Sequence, residues 1–290
     1  MNIVCLQDIA KACQGTTILH DVNLTMEGGD FLVLFGEDDA GKTSLLHILL
    51  GFDLQYEGTL TLFGEVPPWG DRQFRERIRF VPDDILMEQH MTGRQYLRMA
   101  QSVTTSFDYS LVEQLCTEFD VPVDQELMEM TYQENKLVQV IAAIGAKPEL
   151  LVLDEPANFF TGQTYVKLLG WIKKCNEAGM SILMATESYA DVWGYATAYA
   201  FLKEGNVIQA GKVPHPDYRA KVVAVAGGDV TYIKERFPHV IRELNDRLWF
   251  AYRGAAIPLM RELDRAQCAD VVIEEMTLEE ELENDFSRWE

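Results

Sequence analysis

The chain has 290 residues, 48% of them hydrophobic, enough to bury one large core and leave chain for a smaller one. Its formal net charge of −21 works against a nucleic-acid partner or a direct hold on anionic lipid, so any membrane association is expected to run through another protein. Its cysteines form no C-x-x-C pair and no long apolar run occurs, a pattern that suits a cytosolic protein with reduced thiols and neither secretion signal nor spanning helix.

Up to about Gly211, short β-rich runs alternate with helical stretches: FLVLF (31–35), GTLTLFG (58–64), IRFVP (78–82), LLVLD (150–154), SILMA (181–185), AYAFL (198–202) and NVIQA (206–210). This alternation predicts a mostly parallel sheet wrapped by helices, a P-loop type α/β layout over residues 1–211, with a helical insert at about 84–145. Beyond it, KVVAVAGG, TYIKERFP, HVIRELN, RLWFAYRG, AIPLMRELDRAQC and DVVIEEM predict strand, helix, strand, strand, helix, strand. That is the order of a small α+β ferredoxin-like module over 212–290, closing in an acidic helix, TLEEELENDFSRWE.

The stretch FLVLFGEDDAGKTSLLHILL (31–50) contains G-x-x-x-x-G-K-[ST]. In such a loop Gly36 and Gly41 let the backbone curl, so that the N–H groups of Glu37, Asp38, Asp39 and Ala40 and of the helix starting Lys42, Thr43, Ser44 face a nucleotide's phosphates. Lys42 is expected to reach the outer phosphates of ATP and Thr43 to give its hydroxyl to Mg²⁺. Three of the four free loop positions are acidic, however. At about 8 Å and an effective dielectric near 20, each would oppose a ligand charge by roughly 2 kcal/mol, which predicts weakened affinity. Asp39 stands where unusual backbone angles are expected, which aspartate tolerates better than most residues.

The second anchor is LLVLDEP (150–156), an apolar strand ending in adjacent carboxylates. Asp154 is placed to hold Mg²⁺ through water and Glu155 to serve as general base. Two solvated acids before a turn proline would explain the segment alone. Its pairing with a P-loop about 110 residues upstream argues for the nucleotide site instead.

With these motifs in place the chain resembles the ATP-binding subunits of ABC transporters over roughly residues 2–211. The opening IVCLQDIAKACQGTTILHDVNLTMEGGDFLVLFGEDDAGKTSLLHILLGFDLQYEGTLTLFGE, then MTGRQYLRMA and KPELLVLDEPANFFTG, are similar to that family segment by segment. The tail from about 212 resembles the extension of the drug- and peptide-exporter branch. The resemblance implies a subunit that binds ATP and Mg²⁺ and pairs with a second ATP-binding subunit as homo- or heterodimer. It also implies a peripheral place on the inner face of the cell membrane through an ABC-2 type transmembrane subunit, docked on the helical insert near Ile85, Leu86, Met87 and Met91.

The chain also departs from the family pattern. A small thiol, Cys13, replaces the aromatic that stacks on adenine. Asp83 replaces a glutamine that contacts Mg²⁺, and a carboxylate can still reach a metal. The signature falls on MTYQE, where Thr131 keeps a hydroxyl while Tyr132 and Gln133 replace glycines. Thr161 replaces the D-loop aspartate, and Glu187 the switch histidine. These changes imply weak hydrolysis, or a pseudo-ATPase in a structural or regulatory role. A small-molecule kinase is disfavoured because nothing supplies an arginine-rich lid.

Overall fold

The computed structural model describes residues 1–13, 15–85, 90–160, 162–187, 192, 194–213, 220–244, 247–253 and 256–276. Leu86, Met87, Thr161 and the acidic segment 277–290 lie outside the described residues. The chain divides into two units, Met1–Lys212 and Val213–Glu290.

The first unit opens with β1 (Asn2–Cys13), β2 (Thr16–Glu27), β3 (Phe31–Phe35), α1 (Lys42–Leu49) and β4 (Glu57–Leu62). It continues with α2 (Arg72–Glu76), β5 (Ile78–Val81), α3 (Gly93–Ser102), α4 (Tyr109–Glu118) and α5 (Tyr132–Gly145). β6 (Leu150–Asp154), α6 (Gly162–Glu177), β7 (Ser181–Thr186), β8 (Ala198–Lys203) and β9 (Asn206–Lys212) complete it. The strands form a six-stranded sheet in the order β5-β6-β7-β3-β8-β9, parallel except for β9. A separate antiparallel sheet has the order β2-β1-β4.

β3, β6 and β7 are buried along their whole length, as continuous apolar runs must be when both sheet faces are covered. α1 lays Leu45, Leu46, Ile48 and Leu49 into the core shared by both sheets. The parallel register pairs Phe35 with Thr186 and Asp154 with Ala185. The chain therefore leaves β3, β6 and β7 at one edge, where the P-loop, the segment from Glu155 and Glu187 come together. Ligands gather at this carboxyl edge in open α/β sheets.

The helices predicted for the insert are α3, α4 and α5. α3 and α5 each begin in a capping box: Thr92 with Gln95, and Thr131 with Glu134, so their first backbone donors are satisfied by their own side chains.

The second unit contains β10 (Ala220–Ala226), α7 (Val230–Arg236), β11 (Val240–Leu244), β12 (Arg247–Arg253), α8 (Ala256–Arg265) and β13 (Asp270–Glu275). Its sheet is antiparallel in the order β11-β12-β10-β13. Val223, Val225, Leu248 and Phe250 meet Ile233 of α7 and Leu259 and Leu263 of α8 in a core of its own. Phe237 stacks on Phe250 there, 4.6 Å between centroids.

Candidate functional site: a P-loop pocket crowded with carboxylates

The loop between β3 and α1 closes tightly against its surroundings. A Cβ at Gly36 would lie 2.5 Å from the Leu202 carbonyl oxygen, so only glycine fits without a shift. Gly41 has φ 103° and Asp39 φ 60°; the second is the left-handed conformation expected at that position.

Lys42 is 6% exposed, and its ammonium donates to the carbonyl oxygens of Gly36 (2.6 Å) and Glu37 (3.0 Å). It also forms an ion pair with Glu155 Oε1 at 3.0 Å, without hydrogen-bond geometry, and a longer one with Glu187 Oε1 at 3.8 Å. Thr43 Oγ1 donates to Asp154 Oδ2 at 3.0 Å. Hydroxyl and carboxylate predicted to share a metal are thus in contact across 111 residues of chain.

Glu155 leaves the strand in a left-handed conformation, φ 42° and ψ 51°, which costs on the order of 1–3 kcal/mol for such a residue. Its backbone N–H donates to Ala185 O at 2.9 Å, and its Oε2 accepts the Glu187 N–H at 3.2 Å. The strained turn therefore aims Glu155 back into the pocket. The two oxygens a general base would use are engaged by Lys42 and by the Glu187 backbone, so one contact must open before Glu155 takes a proton from water.

Burial raises the Asp154 carboxyl above its ordinary range despite the Thr43 hydrogen bond. The neighbouring Asp38 carboxyl raises Glu187. Asp154 Oδ1 is buried with no hydrogen-bond partner among the described residues. A buried carboxylate oxygen left open beside a hydroxyl is a hard-oxygen donor set that fits Mg²⁺. No cluster of three or more His, Cys, Asp or Glu side chains suited to a metal occurs among the described residues, so phosphate and water would supply the remaining ligands. Asp83 faces the same pocket, its oxygens accepting from Asn158 Nδ2 at 3.1 and 3.2 Å.

These groups border a cavity of about 710 Å³. Among its described lining residues, Asp38, Asp39, Asp83, Glu155, Glu187 and Glu204 face one ammonium, Lys42. On the side nearest the β1–β2 turn the walls are Thr16, Thr17, Ile18 and His20; Cys13 is exposed and not among the described lining residues. Among the described lining residues His20 carries the only ring. Thr131, Tyr132 and Gln133 lie at the start of α5, outside the pocket, with Tyr132 70% exposed.

Two features escaped the sequence reading. His20 had no motif to mark it. Lys136 of α5 is 1% exposed; its ammonium donates to the carbonyl oxygens of Pro82 and Asp84, which flank Asp83, and lies 4.1 Å from the centre of the Phe159 ring. Burial lowers it to about 8.

A P-loop helix facing strand-end carboxylates on a parallel sheet defines a nucleoside-phosphate-binding domain. Residues 19–158 match the model of the ABC transporter family, and this stretch is an ABC transporter ATP-binding domain.

The chain is 23% identical over 250 residues to the ribose import ATP-binding protein RbsA of Oceanobacillus iheyensis. That match covers 82% of this chain and 49% of the relative. It is 24% identical over 203 residues to the ABC transporter ATP-binding protein YtrB of Bacillus subtilis, covering 70% of this chain and 69% of that one. The chain spans about half the length of the RbsA relatives it matches.

The fold is that of a solved ATP-binding subunit of an ABC transporter, with TM-score 0.67, 19% identity, and coverage of 73% of this chain and 90% of that one. It is also that of a dimeric ATP-binding cassette in a post-hydrolysis state bound to ADP and Pi, with TM-score 0.65, 18% identity, and coverage of 73% and 99%. Among the described residues no helix is long and apolar enough to cross a membrane.

Proposed function

We propose that the chain is the ATP-binding subunit of an ABC-2 type export transporter. It holds Mg-ATP on the P-loop at 36–44, with Thr43, Asp154 and Asp83 toward the metal and Glu155 as general base, and turns it over slowly. It pairs with a second ATP-binding subunit and sits on the inner face of the membrane against a transmembrane subunit. The observation that carries this reading is the meeting of Thr43 with Asp154 at 3.0 Å and of Lys42 with Glu155 at 3.0 Å. Bound Mg²⁺ would supply charge neutralisation at the phosphates; the chain itself supplies the cradle, the orienting carboxylates and the base.

The export direction rests on the second unit, whose strand order β11-β12-β10-β13 we take as ferredoxin-like and as the accessory module of that branch. The RbsA relatives are named for ribose import, so the membrane partner that copurifies with the chain is the decisive observation: a permease with a sugar-binding partner would replace the export reading. Ile85 and Met91 are half-buried beside the proposed docking site.

A second reading, a pseudo-ATPase with a structural or regulatory role, is favoured by the ion pairs that already occupy Lys42 and by Tyr132 and Gln133 at the start of α5. Turnover by purified chain, with and without the membrane partner, separates the two. On the ATPase reading Glu155→Gln removes most of the rate, since a general base contributes about 10²- to 10⁴-fold, and Lys42→Ala removes nucleotide binding. A rate indifferent to both substitutions would remove the ATPase reading.

A further inference from the structure

We propose that the pocket is selective for nucleoside diphosphate over nucleoside triphosphate, and that Glu187 is the residue that sets this preference. The inference rests on the proposed function, because it concerns the same P-loop.

A P-loop lysine serves the outer phosphates of a ligand. In this chain that ammonium already faces Glu155 Oε1 at 3.0 Å and Glu187 Oε1 at 3.8 Å. Glu187 cannot be treated as a side chain free to swing away. Its backbone N–H is tied to Glu155 Oε2, it follows directly on the buried strand β7, and its carboxyl interacts with Asp38 on one side and Lys42 on the other.

The inner part of the cradle is different in kind. It consists of backbone N–H groups of the loop and the start of α1, which favour anions, and its lysine-side carbonyls are already satisfied by Lys42. Two phosphates lie within the backbone cradle, with Lys42 beside the second. A third extends toward the end of the site where Glu155, Glu187 and Asp38 converge, and brings added negative charge against a carboxylate whose partner ammonium it must take over. Glu155 stands at the same end, but it is 9% exposed, held through both oxygens and aimed inward by its strained backbone. Glu187, with a 45% exposed side chain, is the carboxylate that meets the incoming group at the mouth.

The test is titration of the full chain with ADP and with ATP in saturating Mg²⁺, by calorimetry, for wild type, Glu187→Gln and Glu204→Gln. Glu204 lines the same pocket, while the ion pairs of Lys42 among the described residues are with Glu155 and Glu187, so Glu204 controls for general relief of negative charge.

Wild type is expected to bind ADP roughly thirtyfold more tightly than ATP, the scale of one unit charge about 8 Å away at an effective dielectric near 20. Glu187→Gln should bring the two affinities together by strengthening ATP, and Glu204→Gln should leave their ratio unchanged. Wild type that binds ATP as tightly as ADP, or a ratio that moves equally in both variants, overturns the inference and leaves the proposed nucleotide site standing. Absence of binding for both nucleotides, unchanged in Lys42→Ala, overturns the nucleotide-site reading itself and the inference with it.

Discussion

The Lys136 ammonium lies 4.1 Å from the centre of the Phe159 ring while donating to the carbonyls of Pro82 and Asp84. One buried charge thereby joins α5, the loop that carries Asp83 and the segment after the strand-end carboxylates. Asp83 closes the circuit by accepting from Asn158, the neighbour of Phe159.

This lysine should leave a mark on stability against pH. Burial lowers it to about 8 from 10.5, so between those values the unfolded chain binds a proton that the folded chain does not. Stability from this group then rises with pH across that window, by up to about 3 kcal/mol. Urea unfolding at pH 7.5 and 10.5 should show the difference between wild type and Lys136→Met moving in favour of wild type as pH rises. A difference that is flat with pH would mean that the ammonium is not desolvated.

Gly36→Ala should destabilise the first unit by roughly 1–3 kcal/mol and remove nucleotide binding, because the new methyl meets the Leu202 carbonyl oxygen at 2.5 Å and Ala40 Cβ at 3.0 Å. Thermal unfolding together with a nucleotide titration checks both effects. An alanine variant that melts and binds like wild type would show that the loop is slack at this point.

Asp39→Gly should act in the opposite direction. The residue holds φ 60°, a conformation that costs an ordinary side chain about 1–2 kcal/mol and glycine little, and its carboxylate lines the pocket. Aspartate bears that conformation better than most residues, so the gain in stability should be at the low end, about 0.5–1 kcal/mol, offset in part by glycine's unfolded-state entropy. ADP should bind more tightly to the variant at low salt, with the gain shrinking as salt rises. Weaker binding would show that Asp39 shapes the loop rather than opposing the ligand.

The base end of the cavity predicts poor discrimination among nucleotides. Its described walls are Thr16, Thr17, Ile18 and His20, and Cys13 is not among them. ADP and GDP are expected to bind within roughly threefold of each other, a difference below 1 kcal/mol. A clear preference for adenine that is lost in His20→Ala would assign the stacking to that imidazole.

What was legible in the sequence was the part written in contiguous residues. The glycines and lysine of the P-loop, the apolar strand before Asp154 and the strand–helix order of both units each follow from a local pattern with one good structural solution. Glu155 was legible as a residue but not as a conformation: its left-handed backbone, with the N–H bonded to the Ala185 carbonyl across the sheet, is encoded by no local pattern. Lys136 was hidden because lysine is almost always exposed, and its burial is made possible by carbonyls 52 and 54 residues away. At Thr131 two local patterns overlap. T-x-x-E marks a helix start as well as an altered signature, and the capping box is the one visible within a single chain.

That capping box also bears on anions. The amide of Glu134 is bonded to Thr131 Oγ1, and the Glu134 carboxylate accepts from both the amide and the hydroxyl of Thr131. The positive end of α5 thus already has a resident counter-ion. A phosphate offered to it from outside would have to evict a carboxylate of its own sign, one covalently tethered and present at an effective concentration no free ligand reaches.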